Sequence, residues 1–253
     1  MPTIYAIANQ KGGVGKSTTC ACLAAALAEA RKRILLVDLD PQAGLTTSLK
    51  FDPDSFPLTI YDLLVGENVE AKPVITQTSV PRVDLIPANL DLAGAEAELI
   101  GEIGWDRTLK EILEPIKAAY QYILVDCPPS LGVLTTNALI AADRVIVPVQ
   151  AEYLAMRGLK QLQKIIQKVQ RKGNPALKVK ILRTMLDSRT LHSNEVAEEL
   201  KRVFGDRVYE VIIKRSIKFA DSTVAGQPIL IYAKHSPGAK AYRSLAKEVL
   251  KDG

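Results

Sequence analysis

Residues Lys11 to Thr18 read Lys-Gly-Gly-Val-Gly-Lys-Ser-Thr, a run whose types and spacing suit the holding of phosphate groups. Gly12, Gly13 and Gly15, with Val14 among them, let successive backbone N–H groups turn toward one point without Cβ atoms in the way. Lys16 brings a positive charge long enough to reach the outer phosphates of a nucleotide. The Ser17 hydroxyl is a hard oxygen ligand for Mg²⁺, and Thr18 carries the run into the next element. The flanks fit this chemistry: a short apolar stretch, Ile4 to Ala8, precedes the run, and an Ala-rich helical stretch, Ser17 to Ala30, follows it. The start of that helix would aim further amides at an anion. The standard loop G-x-x-x-x-G-K-[ST] places its first glycine at position 10, which is Gln10 here. The strict pattern therefore fails, and the variant K-G-G-x-G-K-[ST] stands in its place.

Two acidic sites follow other apolar stretches. Asp38-Leu39-Asp40-Pro41-Gln42 comes after RILLV, and Asp126-Cys127-Pro128-Pro129 comes after YILV. A carboxylate at the tip of a buried strand is expensive to desolvate unless a cation waits there, and Mg²⁺ with its water shell answers that need. Asp126 accordingly reads as the Walker B residue, which holds the metal through water.

Something must carry these groups to one place. Short, β-branched, apolar stretches recur at Ile4 to Ala8, Arg33 to Val37, Val83 to Ile86, Tyr122 to Val125, Arg144 to Val149, Lys178 to Thr184 and Val208 to Ile212. Helical patterns alternate with them at Leu58 to Val65, Leu90 to Ile100, Arg107 to Ala119, Thr135 to Ala142, Tyr153 to Lys172 and Gly238 to Leu250. Strand then helix, repeated, predicts right-handed crossovers, and so an α/β P-loop fold with a mostly parallel twisted sheet flanked by helices on both faces. Open sheets of this kind bind ligands beyond the carboxyl ends of their strands, which is where the glycine loop and both acidic sites fall. No linker or repeat interrupts the pattern, so one domain over residues 1–253 is expected.

The ordered blocks IANQKGGVGKST, LLVDLDPQ, ILVDCPPSLG, TTNAL, VPVQAEY, TMLDSRT and SPGAKAYRSLAKEV resemble those of the Soj-type ParA partition ATPases. These are deviant Walker ATPases of the ParA/MinD family, and the likeness runs nearly end to end. It implies ATP and Mg²⁺ as cofactors, and weak ATP hydrolysis stimulated by a ParB-like or other adaptor protein together with DNA. It also implies a homodimer in the ATP state, in which Lys11 touches the phosphates of the partner's nucleotide. In the same resemblance Asp38 belongs to the outer shell of the metal, Asp40 orients and polarises the attacking water, and Arg215 contacts the nucleotide near the base. Two departures stand out: Lys214-Arg215-Ser216 where relatives carry Pro-Arg-Asn, and Ala43-Gly44 where they carry Gly-Asn. The first strand begins at residue 3, which leaves no room for an N-terminal helix-turn-helix, so the short form of the family is expected.

Charge is unevenly placed in this +5 chain. From Tyr153 to Leu186 there is no acidic residue, and Lys160, Lys164, Lys168 and Arg171 recur at helical spacing as one face, with Leu159, Leu162, Ile166 and Val169 on another. Such a stripe favours an anionic partner, and non-specific double-stranded DNA is the partner implied by the resemblance, which adds Arg189 and Lys218 to the contacts. The chain would then be cytoplasmic, associated with the nucleoid, and would segregate chromosomes or plasmids or position other cargo. A MinD-like membrane switch is the alternative; it needs a C-terminal amphipathic membrane helix beyond the core, and the chain stops at Lys251-Asp252-Gly253. No apolar run is long enough to span a membrane. The three cysteines, Cys20, Cys22 and Cys127, lack the spacing of a disulfide framework or an iron–sulfur site. His192 and His235 have no ligand-spaced neighbours.

Overall fold

The computed structural model describes residues 2–66, 69–150, 155–186 and 191–252, with the side chains of 155–158, 160 and 191–197 left aside. Eight strands, β1 (Thr3–Ile7), β2 (Ile34–Asp38), β3 (Thr76–Gln77), β4 (Val83–Ile86), β5 (Tyr122–Asp126), β6 (Arg144–Gln150), β7 (Lys178–Leu186) and β8 (Val208–Lys214), form one sheet. Its order is β3-β4-β2-β5-β1-β6-β7-β8. Every pairing is parallel except the short edge pair β3–β4. The helices are α1 (Lys16–Glu29), α2 (Gly44–Ser48), α3 (Ile60–Val65), α4 (Leu92–Ile100), α5 (Thr108–Leu113), α6 (Val133–Ala141), α7 (Ala155–Lys172), α8 (Leu191–Phe204), α9 (Ile217–Val224), α10 (Ile229–Tyr232) and α11 (Pro237–Asp252).

The period-two geometry of the strands divides the core. Ile4, Ala6, Leu35, Val37, Ile123 and Val125 face one layer, closed by α3 to α7. Tyr5, Ile7, Ile34, Leu36 and Leu124 face the other, closed by α1, α10 and α11. Because both faces are covered, the central strands are apolar along their middles rather than alternating with polar residues, and their polar residues fall at the ends.

The expected strands stand within two residues at most ends. The predicted helix Arg107 to Ala119 is a correction: only Thr108–Leu113 is α-helical, flanked by 3₁₀ turns at Trp105–Arg107 and Lys117–Ala119. Pro115 explains the break, since its ring clashes with the preceding turn and it lacks an N–H to continue the ladder. The segment Phe51 to Pro57 contains one 3₁₀ turn at Pro53–Ser55, capped by the Asp52 side chain. Helices α2, α8, α9 and α10 and strand β3 have no counterpart in the sequence reading. At one of the sequence departures, Ala43 takes a left-handed conformation with φ 49°, which costs an alanine roughly 1–2 kcal/mol that a glycine is spared.

Candidate functional site: a phosphate loop and two acidic strand tips

The order of the sheet brings the expected groups to one end. β1 lies beside β5, and β5 beside β2, in a register that pairs Ile7 with Asp126 and Asp38 with Asp126. The phosphate loop follows β1, so it rises next to both carboxylates at the carboxyl edge of the sheet.

Several contacts fix the loop. The Asn9 side chain donates to the Pro148 carbonyl on β6 at 2.6 Å and accepts from the Lys11 N–H at 3.0 Å. The Thr184 hydroxyl of β7 donates to the Val14 carbonyl at 2.9 Å. Gly13 and Gly15 have φ of 72° and 89°, left-handed values that let the loop close on itself before α1. Gly15 is the N-cap of α1, so the first amides of that helix open at the loop. Lys16 is buried, whereas Lys11 is exposed and donates to Gln150 Oε1 at 3.2 Å.

The two strand-tip carboxylates differ. Asp126 is fully buried, and no hydrogen bond from a described residue reaches either of its oxygens. Burial, with the neighbouring Asp38, pushes its carboxyl well above the usual range, and the nearby Ser17 hydroxyl and Lys16 ammonium moderate the rise. A buried carboxylate lacking a donor is costly unless a cation lies against it, so the donor set fits a divalent ion beside Ser17. Asp38 is buried as well and raised by burial, but its oxygens are engaged: Oδ2 accepts from Thr46 N and Thr46 Oγ1, each at 2.8 Å, and Oδ1 accepts from Asp40 N at 3.2 Å. The remaining lone pairs of Asp38 still suit a water of the metal shell.

Asp40 is half-buried; its Oδ1 accepts from Gln42 N at 3.0 Å. Gly44, at the start of α2, lies against the phosphate loop, and a Cβ there would stand 3.4 Å from Ser17 Oγ. Ser17 and Asp40 both influence the Asp126 carboxyl, so the three lie in one neighbourhood. Among the described residues no three His, Cys, Asp or Glu side chains form a metal cage by themselves.

Next to the loop opens a cavity of ≈ 480 Å³ bounded by Gly13, Gly15, Thr18, Met185, Arg215 and Phe219. Arg215 and the phosphate loop therefore share one pocket. Ser216 also lines it, and its side chain caps α9 by accepting from Lys218 N at 3.3 Å. The sequence reading missed Thr184, Met185 and Phe219 here, and Tyr242 behind them, whose ring meets Phe219 edge-on at 5.9 Å and whose hydroxyl lies 3.2 Å from Thr19 Oγ1. Met185 gave one structural sign only, a left-handed φ of 52°, which sequence does not disclose.

The basic residues divide. Leu159, Leu162, Ile166 and Val169 are buried against the layer that holds α4 to α6, and Lys164, Lys168 and Arg171 are exposed, so the amphipathic reading of α7 holds. Lys218 is also exposed, but on α9, which packs by Phe219 on the opposite face of the sheet. The stripe and Lys218 thus belong to opposite layers. Arg189 and the side chain of Lys160 lie outside the described residues.

The arrangement can cradle a triphosphate and hold a divalent ion between a hydroxyl and a carboxylate, with a second carboxylate, Asp40, nearby. Comparison with known proteins agrees. Residues 2–179 match the family described as AAA domain. The chain is 46% identical over 254 residues to the sporulation initiation inhibitor protein Soj of Bacillus subtilis, spanning 100% of both chains. It is 43% identical to the chromosome partitioning protein ParA of Caulobacter vibrioides, covering 98% of this chain and 93% of that one. A crystal structure named cobyrinic acid a,c-diamide synthase from Mycobacterium smegmatis, with bound ATP analogue and magnesium, matches at 42% identity and a TM-score of 0.84, covering 99% of this chain and 95% of that chain. With full-length identity above 40% to Soj and ParA, and with the glycine loop and acidic strand tips in place, the chain belongs to the ParA/Soj family of deviant Walker ATPases.

Proposed function

We propose that the chain is a partition or positioning ATPase that binds Mg-ATP at the Lys11–Thr18 loop, dimerises around it, and in that state holds DNA without sequence preference. The observation that carries the nucleotide assignment is Asp126, a fully buried carboxylate beside Ser17 and Lys16 whose oxygens accept no well-formed hydrogen bond from a described residue. The ATP analogue and magnesium bound to the Mycobacterium smegmatis relative support it.

In this reading the loop amides and Lys16 bind the phosphates, Ser17 and Asp126 hold the metal, and Asp38 keeps its outer shell. Bound Mg²⁺ supplies charge neutralisation at the phosphate oxygens. Asp40 orients a water for in-line attack on the γ-phosphorus; the new P–O bond forms as the bond to the bridging oxygen breaks, releasing ADP and phosphate. Such a transfer needs positioning and charge more than covalent help. In the dimer Lys11 reaches a partner subunit's nucleotide, a role that its exposure at the loop entrance supports. An adaptor protein of ParB type would speed hydrolysis and so release DNA, which ties the chain to the nucleoid and gives directed movement of a chromosome, plasmid or other cargo.

The membrane alternative is less well supported. Tyr242, Leu245 and Val249 of α11 are buried in the core against the layer of α1, so the apolar face of that helix is already used. Among the described residues no helix is long and apolar enough to cross a membrane. Co-sedimentation with Mg-ATP separates the readings: retention on linear DNA and not on anionic vesicles is expected, whereas retention on vesicles alone would overturn the DNA assignment.

A further inference from the structure

The loop carrying Asp40 is held by a contact the phosphate chemistry does not itself require. Thr46, in the middle of α2, is fully buried, and both its N–H and its hydroxyl donate to the same oxygen of Asp38 at 2.8 Å. The hydroxyl also accepts from the N–H of Ala88 at 3.2 Å, just past the end of β4. Asp38 in turn accepts the N–H of Asp40 on its other oxygen at 3.2 Å. A continuous path of hydrogen bonds therefore runs from Ala88 through Thr46 and Asp38 to the backbone of Asp40.

The path has two properties that matter for catalysis. It joins the segments that leave β4 and β2, adjacent strands in register from Ile34–Val83 to Val37–Ile86. Its middle member is the only group in it that both donates and accepts through one atom, the Thr46 hydroxyl. Without that hydroxyl, Asp38 Oδ2 keeps a single donor and the Ala88 N–H loses its acceptor in a buried site, so the turn from Asp38 to Ala43 must shift to find partners. A shift of about 1 Å at a positioning group costs on the order of a hundredfold in rate, without a matching loss of ground-state binding.

We propose that Thr46 is a positioning residue for hydrolysis, acting through Asp38 to hold Asp40 at the attacking water. The proposal rests on the assignment of Asp40 to that water. The loop amides, Lys16 and Ser17 lie outside the path, and Asp38 meets the metal only through water, so the rate is expected to fall far more than the affinity for Mg-ATP.

Thr46→Val keeps the shape and removes the hydroxyl, and Thr46→Ser keeps the hydroxyl. The test measures the Kd for Mg-ATP and the single-turnover rate constant for ATP already bound, which does not depend on the fraction of protein that is active. Thr46→Val is expected to slow the bound-state rate at least about tenfold with Kd changed less than about threefold, and Thr46→Ser to recover the rate to within about threefold. Should Thr46→Val not fold, Thr46→Cys takes its place, since a thiol is a weak donor of similar size. A normal bound-state rate in the Val or Cys variant, a Ser variant as slow as either, or a loss of affinity equal to the loss of rate would overturn the proposal. Asp40→Ala run in parallel separates the two claims: a slow Asp40 variant beside a normal Thr46 variant rejects the role of Thr46 alone, and a normal Asp40 variant rejects both.

Discussion

Asp40→Ala is expected to lower the rate of ATP hydrolysis at least about a hundredfold, a loss of ~2.7 kcal/mol of transition-state stabilisation, while the affinity for Mg-ATP stays within a few-fold of the parent chain. The reason lies in where the side chain stands. Asp40 is on the loop after β2, half-exposed, with one oxygen engaged by Gln42 N and the other receiving no hydrogen bond from a described residue. It makes none of the contacts that build the phosphate cradle, so its removal takes away the orientation of the water and little ground-state binding. The ATP-bound form should therefore accumulate, and with it the DNA-bound form. Retention on DNA in the presence of ATP is expected to outlast that of the parent chain, and prompt release by Asp40→Ala would contradict the water-positioning role.

The second large effect concerns DNA. Reversing Arg189 and Lys218 together to Glu is expected to abolish ATP-dependent retention on DNA in a low-salt shift assay, with nucleotide binding unchanged. Each reversal replaces attraction to a phosphate with repulsion, and affinity of this kind depends on counterion release. A surface meeting about four phosphates gives a log–log salt slope near −4, which removes roughly two decades of affinity between about 50 and 200 mM salt. The placement of α7 and α9 on opposite layers of the sheet gives the measurement further use. If Lys164, Lys168 and Arg171 act with Lys218, the DNA must reach around the β8 edge or be held by two subunits. Replacing those three by alanine should then flatten the slope by about 3. Unchanged retention in the Glu pair would refute the assignment of Arg189 and Lys218.

Much of the site was legible because its chemistry is local in sequence. The run Lys11 to Thr18 declares its turn through glycines and its ligands through Lys16 and Ser17, and the acids declare themselves by ending apolar strands. What periodicity could not supply was the register that sets Asp38 beside Asp126, or the different fates of two similar carboxylates, one engaged by Thr46 and Asp40 and one receiving no hydrogen bond from a described residue. Those depend on which loop folds over which strand. The wall of the cavity beside the loop was hidden for the same reason. Met185, Phe219 and Tyr242 come from β7, α9 and α11, and each is an ordinary apolar or aromatic residue in its own segment.

The fold shows a similar division. Long amphipathic or wholly buried stretches such as α1, α7 and the central strands were readable from pattern alone, because burial imposes the pattern. Short elements were not: α2 has five residues and α10 four, too few for a helical period to register, and they exist because their neighbours hold them. The α5 region failed for a definite cause, since Pro115 divides an apolar pattern that would otherwise read as one helix.

The account depends most on the claim that the early glycine loop and Asp126 hold Mg-ATP. Calorimetric titration of Mg-ATP into the parent chain and into Lys16→Ala tests it directly. Saturable heat with one nucleotide per chain is predicted for the parent, weakened at least about tenfold by Lys16→Ala and lost when the metal is chelated. A parent chain that gives no saturable heat, or a Lys16→Ala chain that binds as tightly as the parent, would contradict it.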